Sequence, residues 1–220
     1  MLSLNFPLLD SSIQLNCSTI LVLKKTEIFS NTVKLLCEYT EDNELKLYDH
    51  KYASLKESQL LVITDILGYS FHSTSMVKLI YTDLESQLND VPEIKSELER
   101  LTIEINNLIT TQLLQHELNL ESQEPTLTSL FASYNVKIAT YYQSIFEKCL
   151  ELIHVFKYLR KKKLLVFINI CSYLTEKEMA TLLEEISLVN ISVLFIETNE
   201  VYQFQQYVMD EDYCLFEIKP

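Results

Sequence analysis

The chain of 220 residues holds a single glycine, Gly68, and that scarcity excludes more than any other feature of its composition. Phosphate-cradling loops need glycine because the backbone must approach the phosphates closely and adopt conformations that a side chain forbids. The P-loop and the dinucleotide fingerprint each require at least two, so neither is present. Paired cysteines are also lacking. Cys17, Cys37, Cys149, Cys171 and Cys214 stand singly with no CxxC, which reads as reduced thiols of a cytosolic protein, not as a disulfide framework or a zinc site. His50, His72, His116 and His154 are equally dispersed, and no serine is flanked by elbow glycines. Apolar runs such as Leu164–Ile168 fall far short of the roughly 20 residues that span a bilayer. The opening MLSLNFPLLD has neither a basic n-region nor a long apolar h-region. The expectation is a soluble cytoplasmic protein that acts by binding and is not an enzyme.

What is present is enough for a substantial core, with 48% hydrophobic and 22% charged residues. Leu2, Leu4 and Phe6, then Ile13, Leu15 and the run Ile20–Leu23, read as an antiparallel hairpin or meander turned at Asp10-Ser11-Ser12. Glu27–Tyr39 has helical spacing, Glu44–Tyr48 alternates as a short strand, and Leu60–Ile63 reads as a buried parallel strand. Beyond residue 160, Leu164–Ile170 predicts a strand. Thr175–Leu188 predicts a helix opened by a capping box of Thr175 and Glu178, and Val193–Glu197 and Tyr213–Ile218 predict further strands. Strands separated by helices imply a mainly parallel sheet covered on its faces.

Between these halves the pattern is helical. Leu84, Leu88 and Val91, then Ile94, Leu98, Leu101, Ile105 and Leu108, form a packing seam interrupted at Pro92. A second long helix is expected from about Tyr141 to Lys162. The predicted fold class is therefore α/β. Residues 1–70 with 160–220 form a mainly parallel head, and residues 71–159 form an inserted helical domain. The seam is read first as ordinary helix–helix core and, in its sharper form, as an oligomerisation surface.

The net charge of -13 hides an uneven distribution. From Asp83 to Glu124, ten acids stand against Lys95 and Arg100. From Val136 to Lys163, only Glu147 and Glu151 oppose seven bases, among them Lys137, Lys148, Lys157 and the run Arg160–Lys163. Such a stretch is either a solvated helix face or a phosphate-contacting surface. Within the acidic part, Glu117-Leu118-Asn119-Leu120-Glu121-Ser122-Gln123-Glu124 sets oxygen-bearing side chains where the helical pattern fails. Ca²⁺ takes six to eight such oxygens from a flexible segment, although this is not an EF-hand. Asp65 and Asp49 close strands and imitate a Walker-B acid. Without a phosphate loop they read as strand-end or cap residues.

Several strings, in order and over essentially the whole chain, carry a resemblance: NFPLLD at 5–10, TILVL at 19–23, ELKLYD at 44–49, LVITDILGY at 61–69, IFEKC at 145–149, KYLRKKKLLVFINICSYLT at 157–175 and YVMDEDY at 207–213. The chain resembles the small Csn-two (Csn2) proteins of subtype II-A CRISPR systems, accessory factors for acquiring new spacers. The resemblance implies a non-enzymatic protein with a degenerate nucleoside-triphosphatase-like head and a helical leg. It implies a homotetrameric ring whose positive hole encircles double-stranded DNA, loading from free ends, with calcium bound in the leg. Carried onto this sequence, the calcium ligands are expected at Glu117, Asn119, Glu121 and Glu124. Asn119 and Gln123 stand where close relatives have aspartate. The DNA-facing residues are expected among Lys137, Lys148, Lys161, Lys162 and Lys163. Two other classes stay open. One is a scaffold that docks the integrase or effector nuclease without touching DNA, and the other is an enzyme with a cryptic nucleotide site.

Overall fold

The structure is a computed structural model that describes every residue except 1, 10, 160 and 220. Its contacts divide the chain into two compact units, Met1–Tyr69 with Tyr141–Pro220, and Ser70–Thr140.

In the first unit a sheet of six strands runs in the order β5-β6-β7-β3-β8-β9. These are β3 (Ser18–Leu23), β5 (Leu60–Ile63), β6 (Leu164–Ile168), β7 (Val193–Glu197), β8 (Gln206–Met209) and β9 (Leu215–Ile218). All adjacent pairs are parallel except β8 with β9. A smaller antiparallel sheet joins β1 (Leu2–Asn5) to β2 (Ile13–Leu15) and β4 (Lys46–Tyr48). Ile20–Leu23 therefore departs from the expected meander. This run, buried on both faces, is the signature of a central parallel strand, and β3 sits between β7 and β8. One core unites the two sheets. Leu4, Leu15 and Leu47 pack with Leu21, Leu23, Val166 and Ile196, and with Leu36 of helix α1 (Thr26–Cys37). On the opposite face Phe167 and Phe195 stack with centroids 5.6 Å apart. Helices α5 (Ile145–Tyr158) and α6 (Glu176–Val189) pack on each other in the same unit. The capping box at Thr175 and Glu178 is formed as its spacing predicts.

The second unit holds α2 (Thr74–Asn89), α3 (Pro92–Leu113) and α4 (Leu127–Ser133). Pro92 occupies the first turn of α3, where its missing N–H costs nothing, and it separates α3 from α2. The division differs from the expected boundary at 159/160. Leu152, Ile153 and Phe156 of α5 are buried, so this helix belongs with the sheet unit, and it is shorter than the span 141–162. The seam also differs from ordinary core. Leu98 is half-buried, but Ile94, Leu101, Ile105 and Leu108 of α3 are exposed, leaving an apolar stripe open to solvent along the helix. No helix among the described residues is long and apolar enough to cross a membrane.

Candidate nucleic-acid interface

Parallel pairing sets Leu60 of β5 beside Leu164 of β6, so the segments that enter these two strands lie together. Lys161–Lys163 enter β6. The Lys163 N–H donates to the Gln59 carbonyl at 2.7 Å, and its Nζ lies 3.9 Å from Asp49 Oδ2. Lys161 and Lys163 are exposed, while Lys162 is half-buried with Nζ donating to the Leu60 carbonyl. Burial holds the Lys162 ammonium below the usual lysine range. Lys161 and Lys163 thus present charge to solvent, whereas Lys162 fastens the strand edge.

Asp49 organises the neighbouring turn. Its Oδ1 accepts the N–H groups of Lys51 at 2.8 Å and Ala53 at 3.1 Å. Those bonds hold its carboxyl below the usual range, with Lys163 adding a smaller attraction. Lys51, exposed, and Lys163 thus meet the same carboxylate, one through its N–H and the other through its ammonium, while Lys56, also exposed, lies in the turn that enters β5, its N–H donating to Gln59 Oε1 at 2.9 Å. Sequence patterning alone missed this extension of the basic surface. Its signal is that HKYASLK, residues 50–56, contains no acid.

The remaining expected DNA residues separate. Lys137 is exposed in the second unit. Lys148 is only 6% exposed, and its Nζ donates to the Leu67 carbonyl at 2.9 Å and lies 5.2 Å from the centre of the Tyr142 ring. It does not share a surface with exposed Lys157, and Arg160 lies outside the described residues. Glu117, Asn119, Glu121 and Glu124 are exposed on the irregular connection between α3 and α4. Their oxygens suit a hard cation in chemistry but are not gathered into a shell. Among the described residues no three His, Cys, Asp or Glu side chains converge as a metal-ligand set.

At the carboxyl ends of the parallel strands, where doubly wound sheets place nucleotides, several side chains pair with other groups of the protein. Lys24, following β3, pairs with Glu200 at 2.6 Å, and Lys25 bonds the Tyr213 hydroxyl. Glu197, at the end of β7, is buried and accepts the Cys171 N–H at 3.0 Å, and burial pushes its carboxyl above the usual range. Asp65 caps the next turn by accepting the Gly68 N–H at 2.9 Å. Burial pushes the Cys149 thiol up to about 12 and the Cys171 thiol further, so neither supplies a thiolate near neutral pH.

A family profile described as CRISPR-associated protein (Cas_Csn2) matches residues 38–213. The chain belongs to the Csn2 family. A CRISPR-associated protein Csn2 of Enterococcus faecalis is 47% identical over 211 residues, covering 96% of each chain. A second, from Streptococcus agalactiae, is 46% identical over 215 residues and covers 98% of this chain and 97% of its own. In fold, the chain is similar to a crystal structure of Stu0660 of Streptococcus thermophilus. The TM-score is 0.64 at 16% identity, over 99% of this chain and 76% of that one. Csn2 membership agrees with the resemblance carried by the strings at residues 5–213, and it gives the chain a CRISPR-related role.

Proposed function

We propose that this chain is a non-enzymatic, double-stranded-DNA-binding protein of spacer acquisition that engages duplex ends through phosphates without reading sequence. One observation carries the reading. On a protein with a net charge of -13, exposed Lys161 and Lys163 enter β6 where it pairs with β5, and Lys163 reaches Asp49 at the base of the turn that carries exposed Lys51. None of these residues lies on a helix inserted as a base-reading element, so affinity arises from released counterions. Strand-end residues that a nucleotide would meet are paired with one another, which supports a degenerate nucleotide-binding head in place of an active one. In this account four copies close a ring in which Lys137, Lys161 and Lys163 face DNA and the acidic surfaces face solvent. The helical unit acts as the leg, and its uncovered α3 stripe supports contact between copies. Lys148 and Lys162 leave the set of phosphate contacts, because their ammonium groups are committed to backbone carbonyls. Calcium stabilises the ring by drawing Glu117, Asn119, Glu121 and Glu124 together.

The test is a DNA titration across salt concentrations with wild type, Lys161→Ala and Lys163→Ala, with and without a calcium chelator. Each phosphate contact contributes about -0.9 to the slope of log affinity against log salt. Each alanine variant is therefore expected to flatten the slope, and the chelator to weaken binding. A wild-type slope near zero rejects the phosphate mechanism, and docking of the integrase or effector nuclease then becomes the leading reading.

A further inference from the structure

We propose that Tyr52 is a stacking platform for an unpaired base at a DNA end, an inference that rests on the duplex-binding reading and extends it to single-stranded tails. Three tyrosines adopt left-handed backbone conformations, Tyr52 at φ 58°, Tyr202 at 42° and Tyr213 at 67°. A bulky side chain is a genuine outlier there, and such strain persists only where something requires it. The fold accounts for two of the three. The Tyr202 hydroxyl donates to the Leu174 carbonyl at 2.8 Å, and its ring meets Phe204 edge-on at 6.1 Å. Tyr213 binds Lys25 through both its hydroxyl and its ring face.

Tyr52 is different. It is 86% exposed, and its ring and hydroxyl have no partner among the described residues. The fold uses only its backbone, whose N–H donates to the Asp49 carbonyl at 2.9 Å. Asparagine or glycine would serve that purpose with less strain. The turn that presents the ring is closed, since Asp49 and Ala53 exchange backbone and side-chain hydrogen bonds and Tyr48 bridges to Ser54. With the backbone already fixed, a ligand that covers the ring has only side-chain rotation to restrict.

The surroundings identify the ligand. Lys51 precedes the ring, Lys56 follows it, and Lys163 lies against Asp49 at the base of the turn. A lone exposed aromatic ring among cations matches a base with its flanking phosphates. A membrane surface calls for several apolar side chains on one face, which this turn does not offer. Pairs inside the stack keep both faces covered and a terminal pair opens only one, so the base that offers the ring a face clear of the duplex is an unpaired one at a tail or frayed end.

The experiment compares a blunt duplex with the same duplex bearing a short single-stranded tail that contains 2-aminopurine. Wild type is expected to bind the tailed duplex about tenfold more tightly and to quench the 2-aminopurine fluorescence. Tyr52→Phe is expected to retain both effects. Tyr52→Asn, whose side chain suits the left-handed turn, is expected to lose the quench and reduce tailed affinity to the blunt value, leaving blunt binding unchanged. Equal wild-type affinity for blunt and tailed duplex overturns the stacking site alone, as does a tail preference that survives Tyr52→Asn. Failure to bind either duplex overturns the duplex-binding reading with it.

Discussion

Lys148 and Lys163 belong to one basic stretch of sequence and do different things in the fold. Lys163 keeps its ammonium at the surface beside Asp49, whereas Lys148 turns inward from α5 and bonds the Leu67 carbonyl within the turn that ends in the sole glycine. A Cβ on Gly68 would come within 2.2 Å of Asp65 Oδ2, so any larger residue there must displace the Asp65 carboxylate. Lys148→Met leaves the Leu67 carbonyl unpaired, at a cost of about 1–3 kcal/mol. It is expected to lower the thermal midpoint by several degrees while the salt slope of DNA binding stays unchanged. Calorimetry beside a titration series checks both. Glu197 makes the stability of the sheet unit depend on pH. Burial raises its folded pKa above the ordinary glutamate value of 4.5. Its contribution is therefore fully present below that value and is lost as pH rises through the folded pKa. Wild-type stability is expected to decline over this interval, and Glu197→Gln, which removes the titration, to flatten the decline in melts taken at successive pH values.

Among the elements, α3 carries the sharpest expectation. Ile105 and Leu108 are exposed on its apolar stripe, so Ile105→Asp with Leu108→Asp removes little from the core of the chain and much from the contact between copies proposed above. Sedimentation is expected to show a smaller assembly with circular dichroism unchanged, and an unaltered assembly contradicts a role for the stripe. The elements legible in the sequence are those whose local signals are complete. Pro92 and the capping box at Thr175 mark the starts of α3 and α6. The misreadings have physical causes. A short apolar run such as Ile20–Leu23 does not reveal which strand it pairs with, because pairing is a long-range property. The strand β8 escaped notice because Gln206 opens it. That side chain is buried and bonds the backbone N–H and carbonyl of Val201, a tertiary use of a polar residue that no pattern announces. The basic surface was half legible. The run at 161–163 stands out by composition, but its link to the turn of Lys51 runs through the Asp49 carboxylate, a contact between residues 49 and 163 that no local pattern announces.

At the scale of the whole molecule, the net charge of -13 and the DNA-binding proposal are compatible because charge is local. The acids of residues 83–124 lie in the helical unit, and the gathered lysines lie at one edge of the sheet unit. Csn2 membership supplies the CRISPR context, and the lysine placement supplies the physical basis of the DNA-binding proposal. A ring that encloses DNA adds a topological demand that phosphate contacts alone do not make, because a closed ring admits DNA only over an end. The decisive measurement is therefore the affinity of the protein, with calcium in the buffer, for a linear duplex against a covalently closed circle of the same sequence, at one salt concentration. The account predicts firm binding of the linear form and little binding of the circle, with binding restored once the circle is cut. Equal affinity for the two forms would contradict it.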